Sequence, residues 1–144
     1  MKKIKEISIY LLIIVMVILI RTFIITPVRV NGTSMDPTLK NGEIMILNKI
    51  KYNKNDIKRF DIVVVKMDKE LLIKRVIGLP NEEIKYVDNK LYINGEYIKE
   101  PFLNDDVYTT NFSLDDFKLK KIPENCYFVM GDNREVSLDS RTFG

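Results

Sequence analysis

Two residues in this chain could together carry out covalent chemistry on a carbonyl group. One is the serine of Gly32-Thr33-Ser34-Met35-Asp36-Pro37-Thr38-Leu39, and the other is the lysine of Leu72-Ile73-Lys74-Arg75-Val76-Ile77-Gly78. The 144 residues contain no histidine. A Ser-His-Asp triad is therefore impossible, and the usual proton shuttle and metal ligand is missing. If a hydroxyl is activated here, a lysine amine is the leading candidate base, as in the Ser-Lys variants of the triad.

A free lysine has a pKa near 10.4, whereas a useful base titrates near 7–8. The fold must therefore lower the lysine by about 3 units, or roughly 4 kcal/mol of differential stabilisation. Desolvation does this, because burial disfavours the charged form. Strand alternation puts Lys74 on the same face as Leu72 and Val76, which predicts an amine flanked by branched apolar side chains. Spacing alone leaves the bland reading open. The chain has 17 lysines, most strand lysines end at the surface, and serine before a turn proline is commonplace.

The elements that must position this pair begin with an apolar segment. Met1-Lys2-Lys3-Ile4-Lys5-Glu6 is basic, and Ile7 to Ile20 then holds eleven Leu, Ile or Val residues. Ile7 to Ile25 is long enough to cross a bilayer, and Arg21 near its far end can snorkel. No small-residue cleavage site follows, so the segment reads as an uncleaved anchor rather than a signal peptide. The lysines before it favour an amino terminus inside and the remaining chain outside. This divides the chain into a cytoplasmic basic tail over 1–6, a transmembrane helix over 7–26 and an extracytoplasmic domain over 27–144. Ser34 lies seven residues beyond Pro27, within roughly 25 Å of the anchor's outer end.

The domain reads as mainly β, barrel-like or sandwich-like. Ile44-Met45-Ile46-Leu47 is a buried-strand candidate. Asp61 to Lys66 and Leu71 to Ile77 flank a polar hairpin turn at Met67-Asp68-Lys69-Glu70. Asp88-Asn89 and Asn94-Gly95 are turns, the second a strong hairpin signal. A short helical turn is expected after Ser113. Cys126, the single cysteine, excludes an intrachain disulfide and reads as a small core residue at the start of a strand to Met130. The net charge of +3, with lysines dispersed along the chain, gives no case for nucleic acid. No cofactor or metal signature is present.

Three segments in order resemble the signature boxes of the bacterial type I signal peptidases. They are Ser34-Met35-Asp36-Pro37-Thr38-Leu39, Lys74-Arg75-Val76-Ile77-Gly78-Leu79-Pro80 and Gly131-Asp132-Asn133-Arg134-Glu135-Val136-Ser137-Leu138-Asp139-Ser140-Arg141. Leu91-Tyr92-Ile93-Asn94-Gly95 and Glu100-Pro101 are also similar to family segments. The resemblance implies a Gram-positive-type serine endopeptidase that cleaves signal peptides from secreted preproteins at a cell membrane. It makes Ser34 the nucleophile and Lys74 the general base, without cofactor or metal. Ser137 would orient the lysine amine, and Asp139 and Arg141 would support its loop. Val30, Met35 and Leu39 would line shallow pockets for small residues of the Ala-x-Ala type, although plain core packing explains them equally well.

The Ser34 N–H would serve the oxyanion, while Gly32 lacks the hydroxyl that some members add as a second donor. The lysine box departs from the family at Pro80-Asn81-Glu82, where Pro-Gly-Asp is usual. Asparagine can replace the glycine because it tolerates the left-handed conformation. Family members usually run past Phe143-Gly144 into further strands, so the expected fold lacks the last of them. A truncated, non-catalytic relative that assists surface-protein or pilus assembly is the alternative reading.

Overall fold

The computed structural model describes residues 2–50, 56–67 and 70–143. The predicted turn at Asp68-Lys69, the middle of the polar stretch from Lys49 to Arg59, and the termini Met1 and Gly144 lie outside the described residues. The chain divides into two units, one formed by Met1–Arg29 and Ile44–Asp56, the other by Val30–Glu43 and Ile57–Gly144.

In the first unit, helix α1 spans Lys2–Phe23. Its long apolar side chains from Ile7 to Ile20 are exposed all round the helix. The helix ends ahead of Pro27, because the residue before a proline is driven to extended backbone. Its last carbonyls find side-chain donors. Lys49 Nζ donates to Thr22 O at 3.0 Å, and Thr26 Oγ1 donates to Arg21 O at 3.2 Å. Strand β1 (Ile25–Arg29) then pairs antiparallel with β2 (Ile44–Asn48).

The expectation of a buried strand at Ile44 to Leu47 is corrected. Ile44 and Ile46 are 75% and 68% exposed, and only the alternate Met45 and Leu47 are half-buried. A two-stranded ribbon can cover one of its faces at most, so every second residue stays open.

The second unit holds two antiparallel sheets. One has the order β3-β4-β9, with β3 at Ile62–Met67, β4 at Glu70–Gly78 and β9 at Phe128–Met130. The other has the order β7-β6-β5-β8, with β5 at Ile84–Val87, β6 at Lys90–Ile93, β7 at Glu96–Ile98 and β8 at Phe112–Ser113. Asp88-Asn89 and Asn94-Gly95 all have positive φ (49°, 61°, 51° and 86°), as tight two-residue hairpin turns require. The expected short helix follows Ser113 as a 3₁₀ turn at Leu114–Phe117. Its capping box shows in the Ser113 N–H, which donates to Asp116 Oδ2 at 2.9 Å. The core gathers Ile77, Ile84, Tyr86, Leu91, Ile93, Leu114, Ile122, Phe128 and Met130.

The altered lysine-box turn is intact. Asn81 takes φ 67° and donates its N–H to Ile122 O at 2.8 Å. Glu82 accepts the Leu79 N–H at 2.7 Å and pairs with Arg59 at 2.6 Å. Cys126 is corrected from core to surface. Asn125 turns left-handed with φ 63° just before it, and the strand begins only at Phe128. The final element, α2, spans Ser140–Phe143.

Candidate active site

Ser34 sits in the Val30–Glu43 segment, closed at its base by Val30 N–H to Glu43 O and Gly42 N–H to Val30 O, both 2.8 Å. Gly32 turns with φ 91°, and its N–H donates to Asn41 Oδ1 at 3.0 Å. Met35, 1% exposed, anchors the loop, while Ser34 beside it is half-buried. Leu39 N–H donates to Met35 O at 3.0 Å, which holds the next turn. Of the three residues expected to line pockets, Val30 and Met35 are buried and Leu39 is half-buried, all within this one segment.

Lys74 lies mid-strand in β4, paired with Val63 of β3. It is 2% exposed. Its amine donates to Ser137 Oγ at 3.0 Å, and the Ser34 hydroxyl is not among its hydrogen-bond partners. Bonds that serve catalysis often close only once substrate is bound. Burial holds the Lys74 amine below the ordinary lysine value, the Asp139 carboxylate pulls it partly back up, and the Arg141 guanidinium pushes it down.

Gly131 brings these pieces together. A Cβ on Gly131 would collide with the Ser137 hydroxyl and the Ser34 carbonyl oxygen. The two serines and the lysine amine therefore share one packed cluster, possible only because residue 131 has no side chain. Asp139 braces it, with its carboxylate accepting the Gly131 N–H at 3.0 Å and Arg141 Nε and Nη2 at 2.8 Å each. Burial alone would raise Asp139. The hydrogen bonds from Arg141, the Gly131 backbone and Ser137, together with the nearby Arg141 charge, hold it below the usual carboxylate range.

Sequence reasoning gave no role to two further buried ion pairs. Arg75 follows Lys74, so alternation sends it to the opposite face. There it binds Asp132 with two hydrogen bonds of 2.8 and 2.6 Å, donates to Phe60 O at 2.9 Å and stacks 4.0 Å over the Phe102 ring. Thr38, from the segment that carries Ser34, donates to the same Asp132 carboxylate. Arg134 pairs with Glu100 and also donates to Tyr86 OH at 2.9 Å and Thr109 Oγ1 at 2.8 Å. Burial raises the Tyr86 hydroxyl, so it stays protonated and donates to Glu100 at 2.7 Å. The signal was present in Gly131-Asp132-Asn133-Arg134, but a string of polar residues does not say which charge meets which. Among the described residues no group of three or more His, Cys, Asp or Glu could hold a metal ion.

Two stability predictions follow from this wiring. Asp132→Ala strands the Arg75 charge in the interior and should cost about 3–5 kcal/mol, read as a fall in the urea midpoint. Lys74 has a lowered pKa in the folded state, so between that value and the ordinary lysine value the unfolded chain binds more protons. Stability should therefore rise with pH through that window, with the penalty fully present below it. Lys74→Met should remove this rise, as urea midpoints measured across pH would show.

Comparison with known proteins accounts for this arrangement. A family model described as signal peptidase, peptidase S26, matches residues 3–144. Signal peptidase I V of Bacillus subtilis (strain 168) is 44% identical over 140 residues, covering 91% of this chain and 83% of that protein. Signal peptidase IB of Staphylococcus aureus is 40% identical over 143 residues, covering 90% and 75%. The crystal structure of a signal peptidase I from Enterococcus faecalis V583 superposes with a TM-score of 0.55 at 37% identity, covering 61% of this chain and 86% of that one. A match that spans almost every residue, on a mainly β fold behind one long apolar helix, places the chain in the signal peptidase family, peptidase S26, among its bacterial type I serine peptidases.

Proposed function

We propose that this chain is a membrane-anchored endopeptidase that removes signal peptides from secretory preproteins, with Ser34 as nucleophile and Lys74 as its base. The observation that carries the reading is the Lys74 amine, 2% exposed, with a lowered affinity for protons and a hydroxyl partner in Ser137. An amine in that state gives up its proton more readily than an exposed lysine does, which is what a general base requires.

The reaction then runs in two halves. Lys74 takes the Ser34 hydroxyl proton as Oγ bonds to the scissile carbonyl carbon, and the negative oxygen that develops faces the Ser34 N–H. Collapse breaks the C–N bond, Lys74 returns the proton to the leaving amine, and an acyl-enzyme remains. Water, deprotonated by Lys74, adds to the ester carbonyl; the C–Oγ bond then breaks, Lys74 returns the proton to Ser34 Oγ, and the carboxylate product leaves. Ser137 holds the amine in line, while Asp139 and Arg141 hold the loop that carries Ser137. Val30, Met35 and Leu39 form the walls against which large side chains would clash, which favours small residues before the cut.

Helix α1 supplies the anchor. Its apolar side chains are exposed over the whole stretch from Glu6 to Phe23, which suits hydrocarbon rather than water. The basic residues Lys2, Lys3 and Lys5, ahead of the apolar stretch, favour an inside amino terminus. The chain beyond the anchor, Ser34 included, then lies on the outer side.

Purified protein in detergent should cleave a preprotein with an Ala-x-Ala site, and Ser34→Ala and Lys74→Ala should each reduce the rate at least a thousandfold. The wild-type rate should climb with pH through the lowered Lys74 pKa, since the free amine is the active form. Full cleavage by either variant would remove the dyad. Alkaline extraction of membranes should leave the protein in the pellet, whereas release into the supernatant would exclude the anchor.

A further inference from the structure

Both peptide units flanking Ser34 are held by one residue, Asn133, in the turn after β9. Its carboxamide Nδ2 donates to Thr33 O at 3.2 Å, and its backbone N–H donates to Ser34 O at 3.0 Å. Its own carbonyl accepts the Ser137 N–H at 3.1 Å. One residue thus ties the nucleophile's loop to the loop that carries the lysine's partner.

The bond to Thr33 O has a specific consequence. A trans peptide is planar, and its C=O and N–H point in opposite directions. Fixing the Thr33 oxygen therefore fixes where the Ser34 N–H points. That N–H has no protein acceptor among the described residues. The Asp36 N–H reaches Thr33 O as well, at 3.1 Å, but from within the same turn, so it moves with the loop. The carboxamide of Asn133 reaches it from the far side of the site, 100 residues along the chain.

We infer that Asn133 is the positioning residue of the oxyanion hole, its carboxamide orienting the Thr33–Ser34 peptide so that the Ser34 N–H faces the developing charge. The inference rests on Ser34 being the nucleophile. With Gly32 offering no hydroxyl, the aim of this one donor weighs more heavily here. A donor aimed at charge that exists only in the transition state changes kcat and leaves KM nearly untouched.

The test uses the full chain in detergent with the same Ala-x-Ala preprotein. Asn133→Asp is isosteric and sets an acceptor against the Thr33 oxygen, whereas Asn133→Ser removes the reach without adding charge. Each should lower kcat roughly ten- to a hundredfold, with KM within about twofold. The neutral Ser variant should keep the acidic limb of the pH profile where the wild type has it. Asn133→Gln, which still carries a donor, should recover part of the loss.

A wild-type kcat in the Asp and Ser variants, alongside an inactive Ser34→Ala, overturns the role of Asn133 and leaves the nucleophile standing. An active Ser34→Ala overturns the reading beneath it. A limb displaced in the Ser variant also counts against the inference, because the effect would then pass through Lys74. If Asn133→Asp does not fold, Asn133→Ser decides the question alone.

Discussion

The constraint on which the rest depends is the burial of the Lys74 amine. An ammonium withdrawn from water without a counter-charge in contact costs several kcal/mol, and the fold relieves this by favouring the neutral form. The nearest carboxylate, Asp139, works the other way, since its charge draws a proton back to the amine. Arg141 grips that carboxylate through Nε and Nη2 and opposes its pull. The Asp139–Arg141 pair thus does more than stiffen a turn. It allows a carboxylate to organise the Ser137 loop beside a lysine without fixing that lysine as a cation.

Residues 74 and 75 show how neighbouring positions on a strand receive opposite treatment. Both are cations and both are buried. Arg75 meets Asp132 in a two-pronged ion pair and stays charged, as arginine always does. Lys74 meets, among the described residues, only the Ser137 hydroxyl within hydrogen-bonding distance. Alternation sends each to its own face, and the partner waiting there decides which residue is held as a cation and which is drawn toward the neutral form. The fixed pairs Arg75–Asp132 and Arg134–Glu100 tie the turn just after Gly131 to β4 and to the Glu100 segment, which holds the start of the loop carrying Ser137.

Sequence captured the features that are local. Asn94-Gly95 announced its turn, Ser113 the short helical turn that follows it, and alternation the face that Lys74 shares with Leu72 and Val76. Ser137, Asp139 and Arg141 were visible only through resemblance, because no periodicity links β4 to a loop some sixty residues later. Asn133 and Gly131 were legible as a turn and as part of the third resembling segment, but not in their particular roles. Their importance lies in contacts across the chain, one through a carboxamide, the other through a side chain that is absent. The misreadings share a cause. The Ile44 to Leu47 run and the strand-like start at Cys126 both fit a buried strand locally, but burial depends on what covers a face and where a turn ends. Neither is written in the run itself.

Water exclusion links the fold's stability to its chemistry. The desolvation that lowers the Lys74 pKa is also a cost of folding wherever the amine would otherwise be protonated. Readiness to act as a base and the stability of the fold therefore rise together with pH, through the same group. The packing at Gly131 maintains this state, because the Ser34 carbonyl and the Ser137 hydroxyl fill the space a Cβ would need. Water admitted by a loosening of that packing would weaken the desolvation and move the amine back toward the ordinary lysine value. A site of this kind is kept below the stability its fold could reach.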